Sequence, residues 1–196
     1  GKASAMSFCQ NKLISTGEGG AVVTNDTKVY EKLKLIRSHG RLENSKDDFF
    51  YSINEFDYID IGFNFRMPSM NASLGISQIR HSFIKNIKRR QEIALKISEI
   101  LLRCKYIILP KKLKNADHLY LQYTIRLKDS VIEERDNLKN YLLENGIISR
   151  VYYEPIHLKT FYKKTCKTKK LVNTEYISKS ILTLPIFPTM KNNEIV

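Results

Sequence analysis

One lysine stands in a short loop between two apolar segments near the start of the chain. Lys12 follows a strand predicted over residues 3–8 and precedes the turn T-G-E-G-G and a second predicted strand at residues 21–24. A loop lysine beside a packed sheet can be desolvated, which makes its amine a usable nucleophile. The hydroxyl of Ser7 and the backbone amides of the glycines can bind a phosphate. These parts suit pyridoxal phosphate held as a lysine Schiff base, and spacing alone leaves open a plain surface lysine in a hairpin.

The first hundred residues contain the elements that must position this loop. A helix is predicted over residues 27–38, closed by Gly40. Residues 42–60 are polar and aromatic without periodicity, which predicts a long loop of the kind that often acts as a lid or binding segment. A further helical pattern runs from Pro68 to about residue 101, as one long helix or two abutting helices. Its predicted buried face comprises Met70, Leu74, Ile79 and Phe83, and its predicted basic outer face comprises Lys85, Lys88, Arg89, Arg90 and Lys96.

The pattern changes near residue 105, which predicts a domain boundary there. Residues 106–109, 119–127 and 147–153 have the composition of strands, and residues 182–186 form a short apolar segment. Residues 133–144 form an amphipathic helical pattern that ends at an Asn-Gly pair. Together these elements predict an α+β unit from residue 106 onward.

The composition is that of a globular protein with an unusually high positive charge. The 196 residues include 33 Lys and Arg against 20 Asp and Glu, a net charge of +13, and 42% are hydrophobic. That balance argues against disorder, and no apolar run approaches the roughly 20 residues that a membrane span needs. The excess positive charge is compatible with a nucleic-acid partner or with an anionic substrate. It is also compatible with a charge that has been counted over only part of a protein. Cys9, Cys104 and Cys166 form neither a disulfide framework nor a metal spacing, which favours the cytoplasm and no bound metal.

Six ordered blocks of the sequence resemble one family, the DegT/DnrJ/EryC1/StrS sugar aminotransferases. The first is the S-F-x-x-x-K-x-x-x-T-G-E-G-G pattern, in which Lys12 falls on the lysine of that family's Schiff-base signature. The other five are R-S-H-G-R at residues 37–41, G-F-N-F-R-M at 62–67, N-A-S-L-G at 71–75, Y-Y-E-P-I-H at 152–157 and L-T-L-P-I-F-P at 182–188. Each block is weak alone, but their order along nearly the whole chain is specific.

The resemblance implies an α/β fold, part of the type I fold of aspartate aminotransferase. Family members are about twice as long, so residues 1–105 are expected to form the end of the large domain with the long interdomain helix. Residues 106–196 are expected to form a small C-terminal domain that is cut short at its end. The start at Gly1 and the helix-like beginning in residues 191–196 also favour a segment of a longer protein. The isolated 196-residue chain is therefore expected not to transaminate.

The resemblance also implies a role for each matching residue. Lys12 would bind the cofactor covalently and move the proton during catalysis, and Ser7 would donate to the cofactor phosphate. Asn64 falls where the family supplies a second phosphate ligand from the neighbouring subunit, which implies a homodimer with shared active sites. Arg66 would meet anionic groups of the substrate, with a surface ion pair as the alternative. Tyr153 and His157 would line the sugar pocket, and a buried structural role is equally open for His157.

The implied reaction transfers an amino group, with glutamate as the expected donor, to a keto-sugar linked to a nucleotide diphosphate. Its expected setting is amino-sugar and surface-polysaccharide biosynthesis, with no nucleic-acid partner and no membrane. Tyr152 stands where many members have His, and Cys9-Gln10 replaces the usual aromatic or His residues before the lysine. Lys12 itself is retained, whereas the related sugar dehydratases carry His there. Two other readings stay open: a basic nucleic-acid-binding module using residues 85–90 and 159–170, and an inactive fragment that keeps only a dimerisation surface.

Overall fold

The computed structural model of the chain describes residues 1–41, 57–167 and 169–195. The chain divides into two compact units, Gly1–Phe83 and Ile84–Val196. Most of the long loop predicted over residues 42–60 lies outside the described residues.

The first unit begins with two antiparallel strands, as predicted. Strand β1 (Ala3–Ser7) pairs with β2 (Gly20–Thr24), so that Ser7 lies opposite Gly20. Most side chains of both strands are exposed in this chain. The strands therefore owe their geometry to backbone pairing, and the register places the ends of the intervening loop side by side.

Helix α1 (Thr27–Arg37) follows the strands and agrees with the predicted range. Asp26 caps its start, because a carboxylate oxygen accepts the backbone N–H groups of Lys28, at 2.9 Å, and Val29, at 3.2 Å. The helix ends at Arg37, and the N–H of the following Ser38 donates to Leu35 O at 3.1 Å. The turn after α1 carries His39 and Gly40, both at positive φ.

The long helical pattern forms two abutting helices, α2 (Ser69–His81) and α3 (Phe83–Leu101), separated at Ser82. The prediction of a buried face on α2 is wrong for this chain. Met70 is 81% exposed, and Leu74 and Ile79 are more than half exposed. The spacing of these residues is that of a core-facing stripe, but the described residues do not cover them.

The second unit contains a three-stranded antiparallel sheet in the order β3 (Ile107–Ile108), β4 (Tyr123–Leu127), β5 (Ile181–Leu184). Ile93, Ala94 and Ile97 of α3 pack with the strands in one hydrophobic core. The core comprises Ile93, Ala94, Ile97, Tyr120, Tyr123, Ile125, Leu182, Ile186 and Met190. Because α3 supplies core residues, the compact units divide at Phe83 and Ile84 and not near residue 105; the boundary predicted for the whole protein's domains stays a prediction.

Two arginines assigned by sequence to the basic outer face of α3 are used inside the second unit. Arg90 Nη1 donates to Ile186 O at 2.9 Å and to Tyr120 O at 3.1 Å. Desolvation by burial lowers the pKa of the Arg90 guanidinium. Arg89 Nη2 donates to Met190 O at 2.8 Å. These side chains bind backbone carbonyls in their own unit, which weakens the case that residues 85–90 form a nucleic-acid surface.

The remaining helices are partly as predicted. Helix α4 (Arg135–Glu144) lies within the predicted range, after a 3₁₀ segment at Asp129–Glu134. The strand predicted over residues 147–153 is wrong, since this stretch holds one isolated bridge, Arg150 with Thr183. Its β-branched residues sit beside the sheet without extending the hydrogen-bond ladder.

Three helical segments near the C-terminal end complete the second unit. They are a 3₁₀ turn at Ile156–Leu158, α5 (Thr160–Thr165) and α6 (Val172–Ser180). A last 3₁₀ turn, Asn192–Glu194, forms within the helix-like pattern seen at the end of the sequence. Within the described ranges, none of the helices combines the length and the apolarity that a membrane span requires.

Candidate active site

The loop that carries Lys12 is closed at its base by backbone hydrogen bonds. Phe8 donates to Gly19 O at 2.9 Å, and Thr16 donates to Phe8 O at 2.9 Å. A turn within the loop is closed by the N–H of Lys12, which donates to Cys9 O at 3.0 Å. The backbone position of Lys12 is therefore set by the ends of β1 and β2.

Helix α2 holds the second half of the same loop. Gln78 binds both backbone groups of Ser15: its Oε1 accepts the N–H at 2.9 Å, and its Nε2 donates to the carbonyl at 2.6 Å. Asn71 Nδ2 donates to Thr16 O at 2.8 Å. Thr16 is 2% exposed and lies against Gly75, where an added Cβ would come within 3.0 Å of its methyl group. Two amides and one helical glycine thus fix the loop to α2.

The T-G-E-G-G turn is shaped by a close contact. Gly19 has φ +135°, and an added Cβ would lie 2.6 Å from Met67 Cε and 3.1 Å from Thr16 Oγ1. A side chain at this position would force Met67 to move. The Thr16 hydroxyl donates to Glu18 O at 2.7 Å, which tightens the turn further. The contact also brings Met67, which follows Arg66, up to the Lys12 loop.

The donors of this loop suit a phosphate-bearing aldehyde. Lys12 offers an exposed amine, and the packed surroundings predicted to desolvate it are not provided by the described residues. Ser7 Oγ accepts the N–H of Cys9 at 3.3 Å, which leaves its hydroxyl able to donate to a phosphate oxygen. An exposed amine on the clamped loop and a hydroxyl donor at the end of β1 fit pyridoxal phosphate.

Asn64 and Arg66 belong to a segment that is bound to the end of α1. Phe63 donates to Ile36 O at 2.8 Å, and Phe65 donates to Arg37 O at 2.9 Å. Asn64 forms an isolated β-bridge with Ser38, which is fully buried. These backbone bonds hold Asn64 from both sides.

Gly40 allows this segment to approach the turn after α1. Its φ is +74°, and an added Cβ would lie 1.7 Å from Asp60 O. The carbonyl of Gly40 accepts the N–H of Ile59 at 3.0 Å and that of Asp60 at 3.2 Å. The Asp60 side chain pairs with Lys32, and that contact lowers the pKa of the Asp60 carboxyl. Only glycine fits this turn, because backbone fills the space where a Cβ would stand.

The side chains of Asn64, Arg66 and His39 are joined. Arg66 Nε donates to Asn64 Oδ1 at 3.1 Å, and Arg66 Nη2 lies 3.4 Å from His39 Nε2. The Phe63 and Phe65 rings stack beside them, with centroids 4.9 Å apart. The structure therefore places two of the predicted residues in one hydrogen-bonded group and adds His39 to it.

The remaining two predicted residues lie in the second unit. Tyr153 is 67% exposed, and its ring meets that of Tyr152 edge-on. His157 is 7% exposed, and its Nε2 lies 3.2 Å from Glu175 Oε1, which also accepts the N–H of Leu171 at 3.1 Å. The hydrogen bond from His157 is the main cause that lowers the pKa of Glu175. This geometry matches the structural alternative for His157, and its role in a sugar pocket stays a prediction.

Several residues that shape the candidate site were missed by sequence reasoning. Asn71 and Gln78 lie seven residues apart on α2, a spacing that places both on one helix face. His39 stands in the R-S-H-G-R block, but nothing in that block indicates its contact with Arg66. Glu175 lies far from His157 in sequence. Helix periodicity could have singled out the first pair, whereas the other two contacts depend on tertiary structure.

The whole chain matches one family of known proteins. The sequence model of the DegT/DnrJ/EryC1/StrS aminotransferase family matches residues 1–196. The UDP-4-amino-4,6-dideoxy-N-acetyl-beta-L-altrosamine transaminase of Helicobacter pylori is 35% identical, over 93% of this chain and 47% of its own length. GDP-perosamine synthase of Escherichia coli O157:H7 is 28% identical, over 100% of this chain and 50% of its own length.

A solved structure gives the same result for the fold. PseC of Helicobacter pylori, an aminotransferase involved in the biosynthesis of pseudoaminic acid, superposes with a TM-score of 0.88 and 31% identity. The match covers 99% of this chain and 50% of PseC. The predicted α/β fold class, a partial type I fold, is thereby confirmed, and the chain spans about half the length of the relatives it matches.

Proposed function

The chain belongs to the DegT/DnrJ/EryC1/StrS aminotransferase family, and on that premise we propose that the protein of which it forms part is a pyridoxal-phosphate-dependent sugar aminotransferase. The reaction moves an amino group from an amino acid, with glutamate as the proposed donor, onto a keto-sugar linked to a nucleotide diphosphate. Two relatives support this substrate class, since their names specify UDP-linked and GDP-linked amino sugars. Amino-sugar and surface-polysaccharide biosynthesis is the proposed setting.

The observation that carries the proposal is the clamped loop with Lys12 at its exposed side. Backbone bonds to Phe8 and side-chain bonds from Gln78 and Asn71 fix the loop, while the lysine side chain itself stays accessible. A loop that only connected two strands would not need two helix amides to hold its backbone. A fixed backbone with an accessible amine suits a nucleophile that must meet a bound carbonyl in one geometry.

Three candidate residues of the first unit have a proposed role in the chemistry of the cofactor. Pyridoxal phosphate, when bound, supplies an electron sink that allows a proton to leave the carbon bearing the amino group. Lys12 would hold the cofactor through its amine, and its Nζ would carry that proton during the reaction. Ser7 donates its hydroxyl hydrogen to the cofactor phosphate, and Asn64 donates to the phosphate bound at the neighbouring subunit.

The substrate contacts are assigned to three residues. Arg66 provides a guanidinium whose geometry suits phosphate oxygens of the nucleotide diphosphate. Tyr153 presents an exposed ring and hydroxyl to the sugar. His157, which Glu175 holds in place, is also proposed to contact the sugar. His157 is 7% exposed, so it is less accessible than Tyr153.

The protein is proposed to work as a homodimer in the cytoplasm. The dimer follows from the assignment of Asn64 to the partner's cofactor, and the exposed apolar side chains of α2 offer surface for such an interface. Cys9, Cys104 and Cys166 are free thiols, a state that the reducing cytoplasm maintains.

The test is a spectrum of the full-length protein purified with pyridoxal phosphate. A visible band of lysine-bound cofactor is expected, and Lys12→Ala should abolish it. Lys28→Ala, which changes an exposed lysine of α1, is the matched control and should keep the band. An unchanged spectrum in Lys12→Ala would contradict the assignment of the nucleophile.

A further inference from the structure

The contact between Arg66 and Asn64 fixes which end of the Asn64 amide faces outward. Arg66 Nε lies 3.1 Å from Asn64 Oδ1. A guanidinium carries only donors, so the amide must present its oxygen to Arg66, and the flipped orientation would set two donors against each other. The contact therefore leaves the Nδ2 group, with its two N–H donors, on the opposite side of the amide.

The backbone beneath these donors is held rigidly. Asn64 is bridged to Ser38, and its two neighbours Phe63 and Phe65 both donate to carbonyls at the end of α1. The N–H of His39 returns a bond to Phe63 O at 2.9 Å. With the main chain fixed, the remaining freedom of Asn64 is rotation of its side chain, which the bond from Arg66 restricts.

His39 holds the guanidinium from its other end. Its Nε2 lies 3.4 Å from Arg66 Nη2, and because an arginine can only donate, a hydrogen bond between the two atoms requires Nε2 as the acceptor. His39 adopts φ +61° in the tight turn before Gly40. Arg66 is thus held at both ends, by His39 and by Asn64.

We infer that Arg66 is a positioning residue that orients the Asn64 amide as a donor for a phosphate monoester, the phosphate of the cofactor. The inference rests on the proposed function and adds to it a task for Arg66 apart from substrate binding. The donor in this contact is Nε, which is the guanidinium nitrogen nearest the aliphatic part of the arginine side chain. Its single N–H has a fixed direction in the guanidinium plane, so the bond to Asn64 also has a fixed direction. A lysine would keep the charge but has no planar N–H at that place.

The test measures how tightly the full-length apoprotein binds two probes, pyridoxal 5′-phosphate and pyridoxal, which lacks the phosphate. Arg66→Lys is expected to weaken binding of pyridoxal 5′-phosphate about tenfold and to leave pyridoxal unchanged, because only the phosphate contact is lost. In an Asn64→Ala background, Arg66→Lys should have no further effect, since the oriented amide is already absent. Arg80→Lys, at an exposed arginine of α2, is the matched control and should leave both affinities unchanged.

His39→Gln provides a second variant should Arg66→Lys fail to fold. It removes the imidazole that lies against Nη2 of the guanidinium and should weaken pyridoxal 5′-phosphate binding about twofold, again without effect on pyridoxal. Equal weakening of both probes would show a general structural role and overturn the inference. If Arg66→Lys leaves the affinity for pyridoxal 5′-phosphate unchanged and raises the KM for the nucleotide sugar, Arg66 acts in substrate binding alone and the inference is overturned.

The proposed function and this inference fail in different ways. A wild-type protein that binds no pyridoxal 5′-phosphate overturns the proposed function and, with it, the assignment of Arg66. A wild-type protein that binds the cofactor, with an Arg66→Lys variant that binds it equally well, overturns the inference alone.

Discussion

The two compact units of this chain are stabilised in different ways. Within the described residues, every buried hydrophobic side chain lies in the second unit, on α3, on the strands β4 and β5 and on the segments around them. In the first unit, the buried polar or charged side chains are Thr16, Ser38 and Arg41. The first unit is held by backbone hydrogen bonds, side-chain amides and glycine contacts, and it carries four of the six candidate site residues.

The two kinds of contact have different effects on a site: one stabilises the fold, and the other sets the direction of individual groups. A hydrophobic core stabilises without fixing directions, because its forces are roughly proportional to buried area. Hydrogen bonds and close backbone contacts fix directions but contribute little net stability each. Within this chain, the contacts described for the unit that presents Lys12 and Asn64 are mainly of the directional kind, and those described for the unit with the sheet are mainly of the other. Substitutions in the two units should therefore differ in what they disturb.

The largest effect is expected from a core substitution in the second unit. Ile93→Ala on α3 removes a side chain that is fully buried among the sheet residues and should lower the free energy of unfolding by about 2–5 kcal/mol. Leu95→Ala, two residues along the same helix at 58% exposure, should lower it by less than about 1 kcal/mol. Urea unfolding of the full-length protein measures both, and similar losses in the two variants would contradict the placement of the core.

A glycine substitution should disturb the first unit through geometry. Gly40→Ala places a Cβ 1.7 Å from Asp60 O at φ +74°, and its expected cost is about 2–3 kcal/mol with displacement of the Asn64 segment. Gly146→Ala in the second unit has a similar φ, +78°, and meets nothing within 4 Å, so its cost should stay near 1 kcal/mol. Hydrogen exchange at Ile59 and Asp60 reports the displacement, and equal costs in the two variants would show that the close contact is unimportant.

The position of the Lys12 loop should depend on the side-chain amide of Gln78 on α2. Gln78→Ala removes the two bonds to the backbone of Ser15 and should cost about 1–2 kcal/mol. The expected local result is faster hydrogen exchange at Ser15 and weaker cofactor binding, because the loop base is no longer fixed. Ser77→Ala, at the neighbouring exposed position, should change neither measurement.

The smallest effect concerns the pair of His157 and Glu175 in the second unit. The partner contact lowers the pKa of Glu175 below its ordinary value of 4.5. A carboxylate with a lowered pKa in the folded state contributes stability above that ordinary value and loses it as pH falls through the folded pKa. The stability difference between the wild type and Glu175→Gln should therefore be present at pH 6 and shrink below about pH 4.5. A difference that stays constant through this range would argue against the contact.

Sequence reasoning located the elements near Lys12 well because their signals are local. The strands around the loop, α1 and the long helical pattern after Pro68 follow from propensity, caps and periodicity within a few residues, although the sequence left open whether that pattern forms one helix or two. The strand predicted over residues 147–153 failed for the opposite reason. Its composition suits a strand, but whether such a segment joins a sheet depends on hydrogen-bond partners elsewhere in the chain.

The candidate site was only partly visible in the sequence. The types and order of Ser7, Lys12, Asn64 and Arg66 were sufficient to suggest their chemistry through the family resemblance. The contacts that hold these residues in place were not visible in the sequence. Gln78 binds Ser15, which is 63 residues away along the chain, and His39 contacts Arg66, which is 27 residues away. Contacts of that separation leave no periodicity or spacing that a single sequence reveals.

The sequence by itself determined the family, the fold class and which lysine is proposed as the nucleophile, because ordered motifs and residue types are properties of the chain. Tertiary structure decided how those residues are held: which amides clamp the Lys12 loop, which way the Asn64 amide faces, and that Arg89 and Arg90 bind carbonyls of their own unit. It also decided that α3 belongs to the core of the second unit. These outcomes depend on distances between atoms far apart along the chain, which only the folded backbone sets.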